Sequence, residues 1–281
     1  MVRAVHTLFL VATPIGNLED MSPRAVRVLR EAKLIAAEDT RQTLKLLNHF
    51  DIHTPLTSYH EHNKLTRLDQ IMASLQEGDV ALVSDAGTPA LNDPGYELVL
   101  AALERGCQVS PVPGPSAPVA ALVASGLPSD AFLYLGYLPR KSSERKTFLA
   151  VVADLPYTLV FLETPHRLEA ALLDLRTALG NRSIAIAREL TKQHEEILRC
   201  SLEEALAHFR SHPPRGEFTL VVAGKQTVKE IWDEAQLIAA LKASLAAGEP
   251  PSHLASQLAV QSGWSRREIY RKITEIQDTA L

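Results

Sequence analysis

The sequence predicts an α/β protein of two strand–helix units followed by a small helical module. Three observations point to it. Short apolar runs alternate with segments of helical period as far as residue 224, the pattern of a mainly parallel sheet covered by helices. Loops adjoining five of those runs, at 13–17 (T-P-I-G-N), 84–89 (S-D-A-G-T-P), 113–117 (P-G-P-S-A), 163–167 (E-T-P-H-R) and 216–218 (G-E-F), are mostly built from Gly or Pro and a few polar groups. After Gly224 the pattern turns to helix alone. The chain of 281 residues also exceeds the ~250 that one hydrophobic core usually serves. These features divide it into 1–113, 114–225 and 226–281.

The elements follow in order. Residues 8–12 form the first strand. Ser22-Pro23 opens a helix, with Ser as N-cap and Pro at the first helical position. A strand at 34–37 leads to a helix over about 41–50. Leu65, Leu68, Ile71, Met72 and Leu75 recur at helical spacing, and Gly78 stops that helix. A buried-type strand at 80–83, a helix at 96–105 ended by Gly106 and a strand at 109–112 complete the first unit. The second begins with a helix near 118–125, a strand at 132–134 and a basic loop at 139–146. A strand at 158–162, a helix at 167–179 with Gly180 after it, and a strand at 183–187 come next. Residues 192–199 extend an edge strand. Ser201-Leu202-Glu203-Glu204 is a capping box that starts another helix, and 218–223 is the closing strand. In the tail, Gly248-Glu249-Pro250-Pro251 breaks an amphipathic helix at 231–246. Helices at 254–261 and 265–276 then flank Gly263, the second opening on the capping box at Ser265, in a layout like a helix-turn-helix.

Composition narrows the function classes. With 46% apolar and 22% charged residues the chain has the make-up of a soluble globule. No apolar run approaches the ~20 residues that span a bilayer, and residues 1–6 lack the apolar stretch and cleavage site of a secretory signal. Cys107 and Cys200 are too few for a disulfide framework and have no metal-site spacing. A cytoplasmic protein without membrane contact is the expectation. The formal charge of −4 argues against a wholesale polyanion coat, yet Arg140, Lys141, Arg145 and Lys146 cluster in one stretch, and Arg266, Arg267, Arg271 and Lys272 in another. Each cluster reads either as solvated surface or as a nucleic-acid contact, the first as a mobile arm that touches phosphates.

Neither G-x-G-x-x-G nor a P-loop motif is present. In the loop at 84–89, Asp85 follows a buried strand and Gly87 frees the backbone beside it. Such an acid accepts hydrogen bonds from ribose hydroxyls or an amino group, or is satisfied by its own turn amides. Asp39 and Thr40 read as a helix N-cap, or with Arg41 as contacts to a hydroxyl and a phosphate. His60-Glu61-His62 lacks further ligands at metal spacing, so hydrogen bonding or substrate contact is preferred to a metal. Glu163, with His166-Arg167, and Arg188, with Glu189, sit at further strand ends, where α/β sheets bind ligands.

Together these stretches resemble the tetrapyrrole methylase superfamily of S-adenosylmethionine-dependent methyltransferases, and within it the members that act on ribosomal RNA. The matching words are 12–18 (A-T-P-I-G-N-L), 37–41 (A-E-D-T-R), 82–89 (L-V-S-D-A-G-T-P), 92–96 (N-D-P-G-Y), 113–117, 126–130, 136–141, 187–192 and Gly216-Glu217. They run in order over roughly 8–224. The resemblance implies two α/β/α domains with the cofactor between them and a homodimer. It also implies methylation of a cytidine ribose 2′-hydroxyl in the decoding region of small-subunit ribosomal RNA, in an assembled subunit. On that basis Asp85, Ala86, Gly87, Ser116 and Ala117 line the cofactor site, with Leu162, Leu190 and Thr219 nearby. Because a sulfonium methyl is already electrophilic, the protein's tasks are alignment and proton removal. Asp39 and Glu163 are the candidate bases. Asn17, Arg41, His60, Arg140, Lys141, Arg167 and Arg188 are the candidates for holding substrate. Two other readings stay open, methylation of a small corrin-like ring and a non-enzymatic RNA-binding assembly factor.

Overall fold

In the computed structural model the described residues are 6–226, 232–247 and 249–279. They form two compact units, Met1–Lys225 and Gln226–Leu281. Ile231, where the sequence places the start of a helix, Gly248 in its breaker and the first five residues lie outside the described set.

The first sheet is wholly parallel. Its strands are β1 (Thr7–Val11), β2 (Leu34–Ala37), β3 (Leu56–Ser58), β4 (Val80–Val83) and β5 (Gln108–Val112), in the order β3-β2-β4-β1-β5. Helices α1 (Pro23–Glu31) and α2 (Thr40–His49) bury Val28, Leu29 and Leu47 against Val11, Ile35 and Val83 on one face. Helices α3 (Lys64–Leu75) and α4 (Tyr96–Glu104) bury Ile71, Met72 and Leu98 against Leu8, Ala36 and Leu82 on the other. Alternate residues of each strand thus serve opposite layers, which is why these strands read as unbroken apolar runs. Connections from β1 and β4 leave in opposite directions, so the sheet's switch point lies between their carboxyl ends, where open α/β sheets bind ligands.

The second sheet is mixed. It orders β6 (Phe132–Tyr137), β7 (Thr158–Glu163), β10 (Phe218–Val222), β8 (Ser183–Arg188) and β9 (Glu196–Ser201) as β6-β7-β10-β8-β9, with only the β6–β7 pair parallel. Helix α5 (Ala117–Ala124) packs Ala121 and Leu122 on Val160, Ala185 and Val221. Helices α6 (Ser142–Val152), α7 (Pro165–Leu179) and α8 (Leu202–Ser211) cover the opposite face through Leu149, Leu172 and Leu206 on Phe161, Ile186 and Leu220. Both sheets therefore have helices on two faces. No helix among the described residues is long and apolar enough to cross a membrane.

The local signals behave as their chemistry dictates. Ser22 Oγ accepts the Ala25 N–H at 3.1 Å, and Ser201 with Glu204 closes a reciprocal capping box. In the second unit, α9 (Glu234–Ala246), α10 (Pro251–Ser262) and α11 (Arg266–Thr279) bury Leu237, Leu241, Leu254, Leu258, Ile269 and Ile273. Gly263 ends α10 in the left-handed conformation at φ 74°. Of that module's basic cluster, Lys272 is committed to Glu234 at 2.5 Å and Glu275 at 2.8 Å, while Arg266 and Arg267 are exposed.

Two local expectations are corrected, and one strand was not foreseen. The basic loop at 139–146 is interrupted by α6, and its Arg145 is 3% exposed, bonded through Nε to Asp174 at 2.8 Å and through Nη1 to the Pro139 carbonyl at 3.2 Å. It is an internal strut between α6 and α7, not part of a mobile arm. Residues 192–195 turn rather than extend, because Glu189 and Thr191 take left-handed φ values of 50° and 64° ahead of β9. Strand β3 is too short, at three residues, to leave a period in the sequence.

Candidate active site

The loops after β1, β4 and β5 are tied together by backbone. Thr13 and Gly87 exchange two hydrogen bonds of 2.9 and 3.0 Å across the switch point, and Thr13 Oγ1 donates to the Ser84 carbonyl at 3.1 Å. Thr88 Oγ1 reaches the Pro115 carbonyl at 3.4 Å. Gly87 holds φ at 82°, which an L side chain takes only with strain. Ser116 precedes α5 with no side-chain cap bond, so its hydroxyl is left for another partner.

The second sheet meets these loops at the edge where β7 and β8 end and β10 begins. A Cβ on Gly16 would fall 2.4 Å from Lys192 Cγ and 3.0 Å from the Leu190 carbonyl oxygen. Only glycine lets the first β–α loop nest against the turn after β8. Between the loops lies a cavity of about 300 Å³, at the low end of the ~300–1,000 Å³ usual for small-molecule sites. Asp85, Ala86, Gly87, Ser116 and Ala117 line it from one side, and Leu162, Leu190 and Thr219 from the other. All eight residues assigned to a cofactor from the sequence are thus brought to one cavity.

Its polar groups are chiefly carboxylates. Glu38, Asp85 and Asp93 line the wall, and burial pushes the pKa of each above the ordinary carboxylate value. Asp85 Oδ1 also accepts the Asp39 N–H at 3.0 Å, fixing the loop after β4 to the one after β2. Glu163, at the end of β7, is 2% exposed, and burial raises its pKa. Its Oε2 accepts the Thr164 N–H at 2.8 Å. Its Oε1 lies 3.0 Å from Arg167 Nη2 without an aligned hydrogen bond. That oxygen has no accessible surface of its own, so the carboxylate is held within the wall with Arg167 as its counter-ion.

The remaining sequence candidates separate. Asp39 caps α2 through the Arg41 N–H at 2.8 Å and pairs with the Arg41 guanidinium at 2.7 Å; that bonding holds its carboxyl down at about 2. It does not line the cavity. Arg167 donates to the carbonyls of Leu138 and Pro139 and sits beside Glu163, so it acts as a support for the carboxylate. Arg41 is largely exposed, and Asn17 is exposed with its side chain accepting the Glu19 N–H. His60 Nδ1 is buried without a partner among the described residues, away from the cavity lining. Arg140 is exposed, and Lys141 is exposed and paired with Glu144 at 3.1 Å. Arg188 holds the Arg215 carbonyl through Nε at 2.8 Å. No group of three or more metal-ligating side chains forms among the described residues.

Sequence reasoning missed Asn92, Tyr134, Tyr137 and Lys192 as lining residues. Tyr134 OH donates to Asn92 Oδ1, and burial raises the phenol's pKa to about 12. The signal lies in the words at 92–96 and 136–141, but the strand that the sequence predicts stops at Tyr134. It continues through Gly136, whose φ of 64° accommodates a register shift, to place Tyr137 opposite Leu162.

Comparison with known proteins gives a consistent result. Residues 7–206 match the family model for tetrapyrrole (corrin/porphyrin) methylases. The chain is 50% identical over 269 residues to ribosomal RNA small subunit methyltransferase I of Halalkalibacterium halodurans, covering 94% of this chain and 93% of that protein. It is 47% identical to the protein of the same name from Synechocystis, covering 96% and 98%. Among solved structures, uroporphyrin-III C-methyl transferase from Thermus thermophilus complexed with S-adenosylhomocysteine superposes with a TM-score of 0.53 at 21% identity, covering 77% of this chain and 96% of that one.

Proposed function

The chain belongs to the tetrapyrrole (corrin/porphyrin) methylase family, together with the ribosomal RNA small subunit methyltransferase I proteins, and from that premise we propose that it methylates small-subunit ribosomal RNA with S-adenosylmethionine, at the 2′-hydroxyl of a cytidine in the decoding region. The observation behind this reading is the cavity between the sheets, walled by small-residue loops and bearing the buried Glu163 carboxylate.

The residues present fit the cofactor. The walls at Ala86, Gly87 and Ala117 are small enough for backbone to approach a nucleoside, the free Ser116 hydroxyl and the Asp85 carboxylate offer polar partners, and Leu162 and Leu190 supply apolar contact. When bound, S-adenosylmethionine supplies an electrophilic methyl, so no protein nucleophile is called for. Replacing Asp85 by Ala is expected to weaken cofactor binding by about tenfold or more, since a hydrogen bond to a charged group contributes about 1.5–3 kcal/mol. Calorimetry showing unchanged affinity would remove Asp85 from the site.

Glu163 is the group that takes the proton released by the ribose hydroxyl, with the Thr164 amide and Arg167 fixing its carboxyl group. Asp39 is poorly placed for that task, because its oxygens are engaged by Arg41 and its basicity is depressed. In this reading 1–113 and 114–225 each contribute a wall of the site, and 226–281 with its exposed Arg266 and Arg267 is an accessory RNA contact. Arg140 and Lys141, exposed before α6, serve the same substrate in the cytoplasm.

The functional unit is a homodimer. Helix α4 presents Tyr96, Leu100 and Leu103 at 65, 39 and 55% exposure, spaced i, i+4, i+7 along one face. Leu100→Asp with Leu103→Asp is expected to shift the protein to a monomer in sedimentation; a dimer that survives both changes would place its interface elsewhere.

The reaction class is tested by offering labelled S-adenosylmethionine with purified small subunits, protein-free ribosomal RNA or a precorrin. Label in RNA supports the reading, and label in the tetrapyrrole alone would replace it.

A further inference from the structure

Beside the central cavity a second hollow, of about 350 Å³, is lined by Arg188, Glu189, His194, Arg215 and Gly216. It opens at the same edge of the second sheet, where β8 ends opposite the start of β10. Two of its donors are free: the side chains of Arg215 and His194 are exposed and make no hydrogen bond or ion pair among the described residues. Its carboxylate, Glu189, is committed to Lys192 Nζ at 2.9 Å and to the Glu217 N–H at 3.0 Å. Arg188 is the builder of the hollow. Its Nε holds the Arg215 carbonyl, and its Nη1 meets Glu196 at 3.2 Å.

The backbone there is held in left-handed conformations, at a cost for Glu189 and freely for the glycine. Glu189 is left-handed at φ 50° and Gly216 at φ 85°, and a Cβ on Gly216 would fall 2.5 Å from Glu189 Cγ. The two loops are nested, so the free donors stand on a fixed base. The neighbouring cavity, by contrast, is lined by Glu38, Asp85, Asp93, Glu163 and Glu217. An RNA strand that delivers a ribose to that acidic cavity is repelled there and needs its attraction beside it.

We propose that this hollow binds a phosphodiester of the RNA strand flanking the target nucleotide, with Arg215 supplying the charge, His194 a ring N–H and Arg188 positioning the Arg215 loop. The proposal rests on the RNA methyl-transfer reading and deepens it, since it assigns the anchor that brings the substrate backbone to the site.

The test measures binding of a fluorescent small-subunit ribosomal RNA fragment across a salt series, for the wild-type protein and for Arg215→Glu, Arg215→Lys and His194→Ala, with cofactor calorimetry on each. Arg215→Glu is expected to raise the RNA Kd about tenfold near 0.1 M salt and to make the log Kd against log salt slope shallower by about 0.7–0.9. Arg215→Lys is expected to retain most of the affinity, because it keeps the charge. His194→Ala is expected to weaken binding by about a few-fold, through loss of one ring N–H to the phosphate. Cofactor affinity stays at the wild-type value in all three. Wild-type RNA affinity and slope in Arg215→Glu would overturn the hollow while leaving RNA methylation standing. A wild-type protein that binds cofactor but no RNA at any salt would overturn the methylation reading, and the anchor with it.

Discussion

Replacing Glu163 by Gln is expected to lower turnover by about 10²–10⁴-fold, the usual contribution of a positioned general base, with cofactor affinity close to that of the wild type. The amide has nearly the carboxylate's shape, so the Thr164 contact at 2.8 Å and the packing at the end of β7 survive. What is lost is the ability of the carboxylate to accept a proton. The pH dependence follows from the direction of the Glu163 shift. Burial raises its pKa above 4.5, and the active form is the deprotonated one, so the rate climbs as pH rises through that elevated value. In Glu163→Gln that limb is absent. Single-turnover rates across pH check both parts, and a variant with wild-type rate and an intact limb would exclude Glu163 as the base.

The largest stability effect is expected at Arg145. Its guanidinium contacts Asp174 at 2.6 and 2.8 Å, with both side chains no more than 5% exposed, and Ser142 Oγ donates to the same carboxylate oxygen at 2.8 Å. Arg145→Ala leaves Asp174 buried with Ser142 and, at 3.6 Å, the half-exposed Lys146. Breaking a buried pair in this way typically costs about 3–5 kcal/mol. At roughly 2–4 °C per kcal/mol, the lower figure lowers the melting temperature by about 6–12 °C. Arg145→Met with Asp174→Leu should recover most of the loss, since the desolvated charge goes with its partner. Thermal unfolding of the three proteins decides it. If the single variant melts with the wild type, α6 is not held by this pair.

These two residues also mark the limits of what the sequence disclosed. Glu163 was legible because it ends an apolar strand and precedes Pro165, which opens α7. Asp85 was legible for a related reason, as an acid that interrupts the run after a buried strand, whereas Gly87 and Ser116 were assigned to the cofactor only through the family resemblance. Arg145 was not. Its helix begins at Ser142 behind Lys141, with no side-chain cap bond, and its early residues are polar and charged, like those of a solvated loop. Only the tertiary partner Asp174, on α7, turns Arg145 inward.

Tyr134 and Tyr137 were hidden by a different effect. A glycine within a strand usually reads as its end, yet Gly136 here carries the chain through a bulge, and a side chain at that position would meet Asn92 Nδ2 at 2.5 Å. The contact between the loop at 84–95 and β6 is thus invisible until the two sheets are brought together. The hollow at Arg215 depends in the same way on residues of three separate segments.

The proposed reaction is methyl transfer at this site to a ribose hydroxyl of small-subunit ribosomal RNA. The most direct measurement incubates the protein with small subunits lacking the modification and S-adenosylmethionine bearing a heavy methyl, then digests the RNA and identifies the labelled nucleoside and its fragment by mass spectrometry. Heavy 2′-O-methylcytidine within the decoding region is the expected product. Label on a base ring, or subunits left unlabelled by a protein that binds the cofactor, would contradict it.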